Sequence, residues 1–212
     1  MNATLKSTSG SEKKNHFVFL LEDNEQLRAD LARTLEFCGF TVFQFSNAQD
    51  FLEQHSQVVP AVVVTDMRMP GLTGVELQSQ LATMGRKMPI IFISGESTDA
   101  QIVAAMKNGA IDFLLKPFSR ESLLSAVAKG IEIDSVAMQK LIKKAAFEQK
   151  LKILSPRELQ VFNFLALGFN NNELMDELKI SLPTVKQYKS EVMYKLRLRS
   201  VAELIALHSD AS

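Results

Sequence analysis

The chain has 212 residues, 24 basic and 24 acidic side chains, and a hydrophobic fraction of 46%. This length and composition suit a packed α/β core with a second, smaller domain, and they exclude a fibrous or wholly disordered protein. A formal net charge of zero excludes a uniformly basic polyanion binder but leaves room for a local basic face. No apolar run reaches the roughly 18 residues that span a bilayer, and residues 1–15 lack the apolar stretch of a secretion signal. We therefore expect a cytoplasmic protein without a membrane partner, and a disordered tail over residues 1–15.

Short apolar runs alternate with amphipathic segments between His16 and Phe118. The runs HFVFLL, FTVFQF, AVVVT, PIIFIS and IDFLL are rich in β-branched and aromatic residues, which predicts five strands. Helical spacing of apolar residues predicts helices over 27–37, 48–55, 75–84 and 102–106. Strands that alternate with helices form a parallel sheet covered on both faces, so we predict an α/β, doubly wound (βα)5 domain over residues 16–130. The single Cys38, close to Phe37 and Phe40, is predicted to fill a core position as a small hydrophobe.

One long helix is predicted from Ser119 to about Leu151, interrupted only by Gly130. Apolar residues recur in it every seven positions, at Leu124, Ile131, Met138 and Ala145. The companion seam contains Asp134 and Glu148, so two interpretations stay open: a coiled coil, or a helix packed on the sheet before an exposed linker. Residues 131–152 are predicted to be a helical linker.

Polar side chains stand at the ends of four predicted strands: Glu22 with Asp23, then Asp66, Ser94 and Lys116. Because the carboxyl ends of parallel strands meet at one edge of a sheet, we expect these side chains to converge. Clustered carboxylates repel each other, and a hard divalent cation such as Mg²⁺ relieves the repulsion. A carboxylate that faces a cation and the Lys116 ammonium group is suited to accept a phosphoryl group.

The segments FVFLLEDN, VVVTDMRMPGLTGVEL, IIFISGE and MKNGAIDFLLKPF resemble the receiver domains of two-component response regulators in order and spacing. The resemblance implies that Asp66 is the phosphoacceptor and that Glu22 and Asp23 form an acidic pocket. It also implies that Lys116 contacts the phosphoryl group and that Ser94 and Phe113 are the switch pair. In two places the chain differs from the commonest pattern, since Glu22 replaces Asp and Ser94 replaces Thr.

The same resemblance implies a Mg²⁺ site and a cis peptide bond between Lys116 and Pro117. The expected metal ligands are Asp23, Asp66 and the backbone carbonyl of Arg68, with Glu22 as a further ligand through water. Enzymes of the haloacid dehalogenase type also use a strand-end Asp, but they carry a second Asp as general acid where this chain has Arg68. This difference argues against a phosphohydrolase.

The segment from Leu154 onward has no strand-like run and predicts a small all-helical domain over residues 153–212. Ser155 with Glu158, and Asn170 with Glu173, have the spacing of helix-start capping boxes. Ser181 is predicted to cap a third helix that runs to about Leu196, by accepting the amide of Thr184. A last helix presents Val201, Leu204, Ile205 and His208 on one face. This face either closes the small core or forms a dimer seam.

The third of these helices is rich in basic residues. The basic residues between Ser181 and Arg199 are Lys186, Lys189, Lys195, Arg197 and Arg199, and they form a predicted basic face. Val185, Val192 and Leu196 should be buried, with Met193 pointing elsewhere. The segment 154–204 resembles the four-helix helix-turn-helix domain of LuxR/FixJ-type regulators. The resemblance implies that the residues facing DNA are Thr184, Lys186, Gln187, Lys189 and Ser190. Tyr188 stands where His is common, and Glu191 where a basic residue is frequent.

The order receiver, helical linker and LuxR-type domain is that of the FixJ/NarL class. It implies a transcription regulator, not an enzyme, that a sensor histidine kinase phosphorylates and that binds double-stranded promoter DNA. Further expected partners are a second copy of the chain, on phosphorylation, and RNA polymerase. The alternative is an atypical regulator that dimerises through its receiver without phosphorylation.

Overall fold

The computed structural model describes residues 16–54, 58–83 and 87–209, so the predicted tail over residues 1–15 lies outside the described part of the chain. The chain divides into two units between Met138 and Gln139. No helix in the described ranges has both the length and the apolar character needed to cross a membrane.

The first unit contains a five-stranded parallel sheet with the strand order β2-β1-β3-β4-β5. Its elements are β1 (Phe17–Leu21), α1 (Glu25–Phe37), β2 (Thr41–Phe45), α2 (Ala48–Gln54), β3 (Ala61–Asp66), α3 (Gly74–Thr83), β4 (Ile90–Ser94), α4 (Asp99–Lys107) and β5 (Asp112–Leu115). The predicted (βα)5 fold is therefore confirmed. The predicted ends of the second and third helices, at His55 and Met84, lie outside the described residues.

Both faces of the sheet are covered by apolar layers, as a parallel sheet requires. Phe19, Phe51 and Phe92 are fully buried in one layer, and Leu20 and Val127 in the other. The continuously apolar sequence of β3 follows from this, because every one of its residues is buried.

The prediction for Cys38 is wrong. Cys38 is exposed at the carboxyl end of α1, and the ring of the preceding Phe37 is 83% exposed. Phe37 therefore lies on the outer surface of the helix end, whereas Phe40 packs against the apolar layer without bringing Cys38 into it.

The long helix α5 (Arg120–Leu151) is continuous through Gly130. A Cβ atom at Gly130 would lie 2.6 Å from Val62 Cγ2, so the glycine permits a close approach of α5 to β3. One turn later the buried carboxylate of Asp134 accepts a hydrogen bond of 2.7 Å from the backbone amide of Ala61. Leu141, further along the helix, is exposed. This arrangement agrees with a helix that packs on the sheet and then continues as an exposed linker.

The second unit contains α6 (Pro156–Ala166), α7 (Asn171–Leu178), α8 (Leu182–Leu196) and α9 (Val201–Ser209), which confirms the predicted all-helical region. Both predicted capping boxes are present: the Ser155 amide donates to Glu158 at 2.7 Å, and the Asn170 amide donates to Glu173 at 2.6 Å. In α9, Leu204 is fully buried and Ile205 is 37% exposed. Leu204 therefore closes the small core, as the first interpretation of this helix requires.

Ser181 does not cap α8 in the predicted way. Its side chain makes no hydrogen bond to the backbone, and its hydroxyl lies 2.9 Å from the Thr184 hydroxyl instead. Pro183 in the first turn has no N–H group, so one of the two amides that an N-cap oxygen ordinarily accepts is missing.

Candidate functional site

The predicted carboxylates meet at the carboxyl edge of the sheet because the register brings the ends of β1 and β3 together. Leu21 pairs with Thr65, so the next residues along each strand, Glu22 and Asp66, are neighbours. Glu22 and Asp66 are buried, whereas Asp23 is exposed. The carboxylate oxygens of these three residues lie within 4.8 Å of one another.

Lys116, just after β5, lies between two of these carboxylates. Its Nζ atom is 2.7 Å from Glu22 Oε2 and 2.5 Å from Asp66 Oδ2. The backbone positions it, because the Lys116 amide donates to the Ser94 carbonyl at 2.8 Å. The bond between Lys116 and Pro117 is cis, as expected.

Burial and pairing act in opposite directions on these groups. Burial is the strongest influence on Glu22 and raises the pKa of its carboxyl group, although Lys116 opposes the change. Burial lowers the pKa of Lys116, but hydrogen bonds to Asp66 and Glu22 outweigh it and leave the pKa raised. Lys116 therefore remains a cation at neutral pH and offsets part of the negative charge of the cluster.

The second oxygen of Asp66 is held by the loop that follows β3. Asp66 Oδ1 accepts the backbone amide of Arg68 at 2.8 Å. The Arg68 side chain points to the surface and pairs with the exposed Glu96 at 3.5 Å. At the far end of the loop, a Cβ atom at Gly74 would lie 2.8 Å from the Asp66 carbonyl oxygen. The loop is thus closed tightly around the Asp66 backbone.

Ser94, at the end of β4, is buried and part of a hydroxyl chain. Its Oγ donates to the Glu96 carbonyl at 3.0 Å and accepts the Ser97 hydroxyl at 2.8 Å. Phe113 lies half-buried on β5, with its ring centroid 6.4 Å from that of Phe92. Sequence reasoning missed Ser97, because a serine in a turn is ordinary and only the folded loop brings it onto Ser94.

The chemistry of the cluster suits a hard divalent cation. Glu22, Asp23 and Asp66 offer only carboxylate oxygens, which are the ligands that Mg²⁺ prefers. Three carboxylates outnumber the single ammonium group of Lys116, so negative charge is left for a cation to balance. The residues therefore fit the magnesium site that the sequence predicts.

The predicted DNA-facing residues lie along the outer side of α8. Lys186, Gln187 and Ser190 are exposed, and Thr184 and Lys189 are half-buried. On the opposite side Val185 and Val192 are completely buried. Tyr188 and Met193 also pack against the core, so the prediction that Met193 points elsewhere is wrong.

Lys195 does not belong to the basic face that the sequence predicts. Its Nζ atom lies 2.7 Å from Glu158 Oε2, at the start of α6. The hydrogen bond from Lys195 is the main reason that the pKa of Glu158 is lowered, and the backbone amide of Ser155 adds to it. Lys195 thus holds α8 against α6, while Arg197 and Arg199 remain exposed.

Comparisons with known proteins agree with this division of the chain. A family model for the response regulator receiver domain matches residues 18–128, and a model for bacterial regulatory proteins of the luxR family matches residues 152–208. Nodulation protein W of Bradyrhizobium diazoefficiens is 37% identical over 190 residues, which are 90% of this chain and 84% of that protein. The transcriptional regulatory protein FixJ of the same organism is 34% identical over 92% of this chain and 94% of its own length.

Solved structures of response regulators also match most of this chain. The structure of the response regulator StyR has a TM-score of 0.80 and 36% identity, and the match covers 92% of this chain and 98% of that chain. Full-length FixJ from B. japonicum has a TM-score of 0.57 and 33% identity, over 93% of this chain and 97% of that chain.

Proposed function

The chain belongs to the two-component response regulators that join a receiver domain to a LuxR-type DNA-binding domain, and we propose that phosphorylation of Asp66 by a sensor histidine kinase controls its binding to promoter DNA. The observation that carries the proposal is the placement of Asp66, with one oxygen on the Lys116 ammonium group and two more carboxylates within 4.8 Å. Such a cluster positions and neutralises a phosphoryl group, which is most of what phosphoryl transfer requires.

In the proposed transfer, a carboxylate oxygen of Asp66 attacks the phosphorus atom of a phosphohistidine on the kinase. The new bond joins this oxygen to phosphorus while the bond from phosphorus to the histidine nitrogen breaks, and a proton then neutralises the imidazole. Lys116 stabilises the charge on the phosphoryl oxygens from its position at Asp66 Oδ2. Asp23, Asp66 and the Arg68 carbonyl, with Glu22 through water, would hold Mg²⁺, which would supply further charge neutralisation.

Coupling to the second unit is proposed to begin at Ser94. The hydroxyl chain from Ser97 through Ser94 ends on the Glu96 carbonyl, so a phosphoryl oxygen that recruits Ser94 must break one of these bonds. Phe113 then turns toward the vacated space. The surface beside it includes the exposed side chains of Met106 on α4 and Leu115 on β5.

That surface is proposed to join two protomers. A small helix-turn-helix domain contacts one half-site, and dimers bind two half-sites on the same duplex. Joining the receivers raises the effective concentration of the second domain near its half-site. RNA polymerase is proposed as a further partner of the DNA-bound dimer.

The test is phosphorylation of the intact chain with acetyl phosphate and Mg²⁺, followed by mass spectrometry. Asp66→Asn should abolish the mass increase, whereas Asp30→Asn on the exposed face of α1 should leave it unchanged. Modification of the Asp66→Asn protein at the parent rate would refute the assignment. If the parent itself is not modified, the phosphorylation-independent regulator becomes the better description.

Beryllofluoride with Mg²⁺, which mimics the phosphoryl group, tests the coupling. It should shift the protein from monomer toward dimer in sedimentation and tighten binding to paired half-sites more than to one half-site. Ser94→Ala should weaken both effects while Asp66 can still be modified. A protein that stays monomeric yet gains full DNA affinity would show that phosphorylation acts by releasing a masked DNA-binding domain.

A further inference from the structure

Tyr194 is the most exposed large hydrophobic side chain of α8, at 81% of its full accessibility. It follows Gln187 by seven residues and Ser190 by four, which are spacings of about two turns and one turn. At 100° per residue, seven positions return to within about 20° of the starting direction. Tyr194 therefore shares the outward face of the helix with Gln187 and Ser190, opposite the buried Val185 and Val192.

The position of Tyr194 along the helix distinguishes it from the residues that are proposed to contact bases. A rise of about 1.5 Å per residue puts Tyr194 about 6 Å beyond Ser190 and about 10 Å beyond Gln187. A recognition helix lies in the major groove with its amino-terminal residues on the base edges. When Gln187 reaches base edges, Tyr194 lies further along the helix than these contacts, toward the sugar and phosphate backbone that borders the groove.

Two arginines stand beside Tyr194. Arg197 ends α8, with its backbone in the left-handed region at φ 55, and Arg199 follows two residues later. Both are exposed, and neither side chain forms an ion pair or a side-chain hydrogen bond within residues 16–54, 58–83 and 87–209. A concavity with a volume of about 560 Å³ is lined by Tyr194, Arg197 and Arg199, together with Ile153 and Lys195.

The charged side chains near the carboxyl end of α8 differ in whether they are paired within the second unit. Lys195 is paired with Glu158, which offsets its charge, although its side chain lines the same concavity. Glu203 lies close to the arginines, where its carboxylate accepts the backbone amide of Arg199 at 2.6 Å. The free guanidinium groups are therefore those of Arg197 and Arg199, and guanidinium and tyrosine hydroxyl groups are common donors to DNA phosphates.

We infer that Tyr194, Arg197 and Arg199 form a phosphate-binding subsite that grips the DNA backbone at the mouth of the major groove. The inference rests on the proposed function, because it assumes that α8 is the reading helix. An acidic peptide would also match the two arginines, but the shared outward face of Tyr194, Gln187 and Ser190 favours DNA. The subsite sets the depth and tilt of the helix without reading a base.

The experiment measures binding of the intact chain to a mixed-sequence 30-base-pair duplex between 0.05 and 0.3 M salt. The affinity for such DNA falls with salt in proportion to the number of phosphates neutralised. Arg197→Gln and Arg199→Gln should each make the slope of log K against log salt less steep by about 0.9. Counted from 1 M salt, this difference in slope is a loss of affinity of about eightfold at 0.1 M salt. Tyr194→Phe should weaken binding at every salt concentration with an unchanged slope, because it removes a neutral donor.

Two control variants separate the subsite from general effects. Arg33→Gln on α1 removes the same charge from the first unit and should leave the slope unchanged. Arg197→Lys restores a cation and should recover most of the slope. Thermal unfolding of each variant identifies any loss of folding.

The outcomes separate the subsite from the proposed function. If the parent binds DNA and all three subsite variants bind with the parent slope and affinity, the subsite is refuted. If DNA binding is intact but transcription from a bound promoter is lost, this surface contacts a protein, which also refutes it. If the parent fails to bind DNA with or without beryllofluoride, the proposed function itself fails.

Discussion

Gly130→Ala is the substitution for which the structure and helix propensity predict opposite signs. In an exposed helix, alanine is about 1 kcal/mol more favourable than glycine. Here the added Cβ would lie 2.6 Å from Val62 Cγ2 and 2.9 Å from Ile111 Cδ1. Carbon atoms in contact are normally about 3.5 to 4.0 Å apart, so the overlap with Val62 is about 1 Å.

The two neighbours differ in how far they can yield. Ile111 Cδ1 is the end of a flexible side chain, but Val62 is a fully buried β-branched residue in the middle of the sheet. Overpacking of this kind costs about 1 to 3 kcal/mol. After the gain in helix propensity is subtracted, Gly130→Ala should lower the free energy of unfolding of the first unit by up to about 2 kcal/mol.

Urea unfolding of the intact chain provides the assay. The protein has no tryptophan and two tyrosines, both in the second unit, at Tyr188 and Tyr194. Tyrosine fluorescence therefore reports the second unit, and far-ultraviolet circular dichroism reports both units. Gly130→Ala should lower the urea midpoint of the first unit, whose transition is seen by circular dichroism but not by fluorescence. The midpoint of the fluorescence transition should not change.

Two further variants test the cause. Val62→Ala removes the colliding methyl groups, so the double variant should be more stable than the sum of the two single effects by about 1 kcal/mol or more. Ser125→Ala, at an exposed position of α5, should be neutral or slightly stabilising, since it changes helix propensity alone. A Gly130→Ala protein that is more stable than the parent would refute the close packing of α5 on β3.

Three other predictions concern single residues or pairs of residues. Gln78→Leu should stabilise the first unit by up to about 1 kcal/mol in urea unfolding, because the cost of the buried Gln78 Oε1, to which no residue of the described ranges bonds, outweighs the long 3.3 Å bond from Gln78 Nε2 to the Ala105 carbonyl; a destabilised variant would contradict this. The lowered pKa of Glu158 contributes stability that is present above the ordinary carboxyl pKa and is lost as pH falls through the folded value. The second unit should therefore lose stability as pH falls below the ordinary carboxyl pKa, more in the parent than in Glu158→Gln or Lys195→Met; equal pH profiles would exclude the pair as the cause. Lys186→Ala should weaken binding to the preferred site by about 1 to 3 kcal/mol, whereas Lys189→Ala should weaken all sequences alike, and unchanged binding in both would exclude α8 as the reader.

The sequence predicted the positions of the site residues better than their contacts. Asp66, Glu22 and Lys116 were predicted to meet because each follows a strand of one parallel sheet, and topology alone brings such positions together. Apolar spacing predicts a helix over 102–106, although α4 begins at Asp99. Thr98 and Gln101 form a capping box there, a local pattern that apolar spacing does not reveal.

Contacts that depend on the folded chain explain two differences from the sequence prediction. Lys195 has the same sequence character as Lys186, and only the position of Glu158, 37 residues earlier, removes it from the basic face. Ser97 and Ser94 are three positions apart, but their hydroxyl contact depends on how the loop folds after β4.

The sequence by itself determined the alternation of strands and helices, the edge at which the acidic cluster forms and the order of the two units, because periodicity and strand-end position are local properties. Only the tertiary structure decided the meaning of Gly130, which interrupts a helical pattern in the sequence but lies where α5 approaches Val62 most closely. The same holds for Asp134, a polar residue in an apolar seam that pairs with the Ala61 amide at the start of β3. The physical reason is that burial and pairing depend on atoms 68 and 73 positions away in the chain, and no local pattern records those distances.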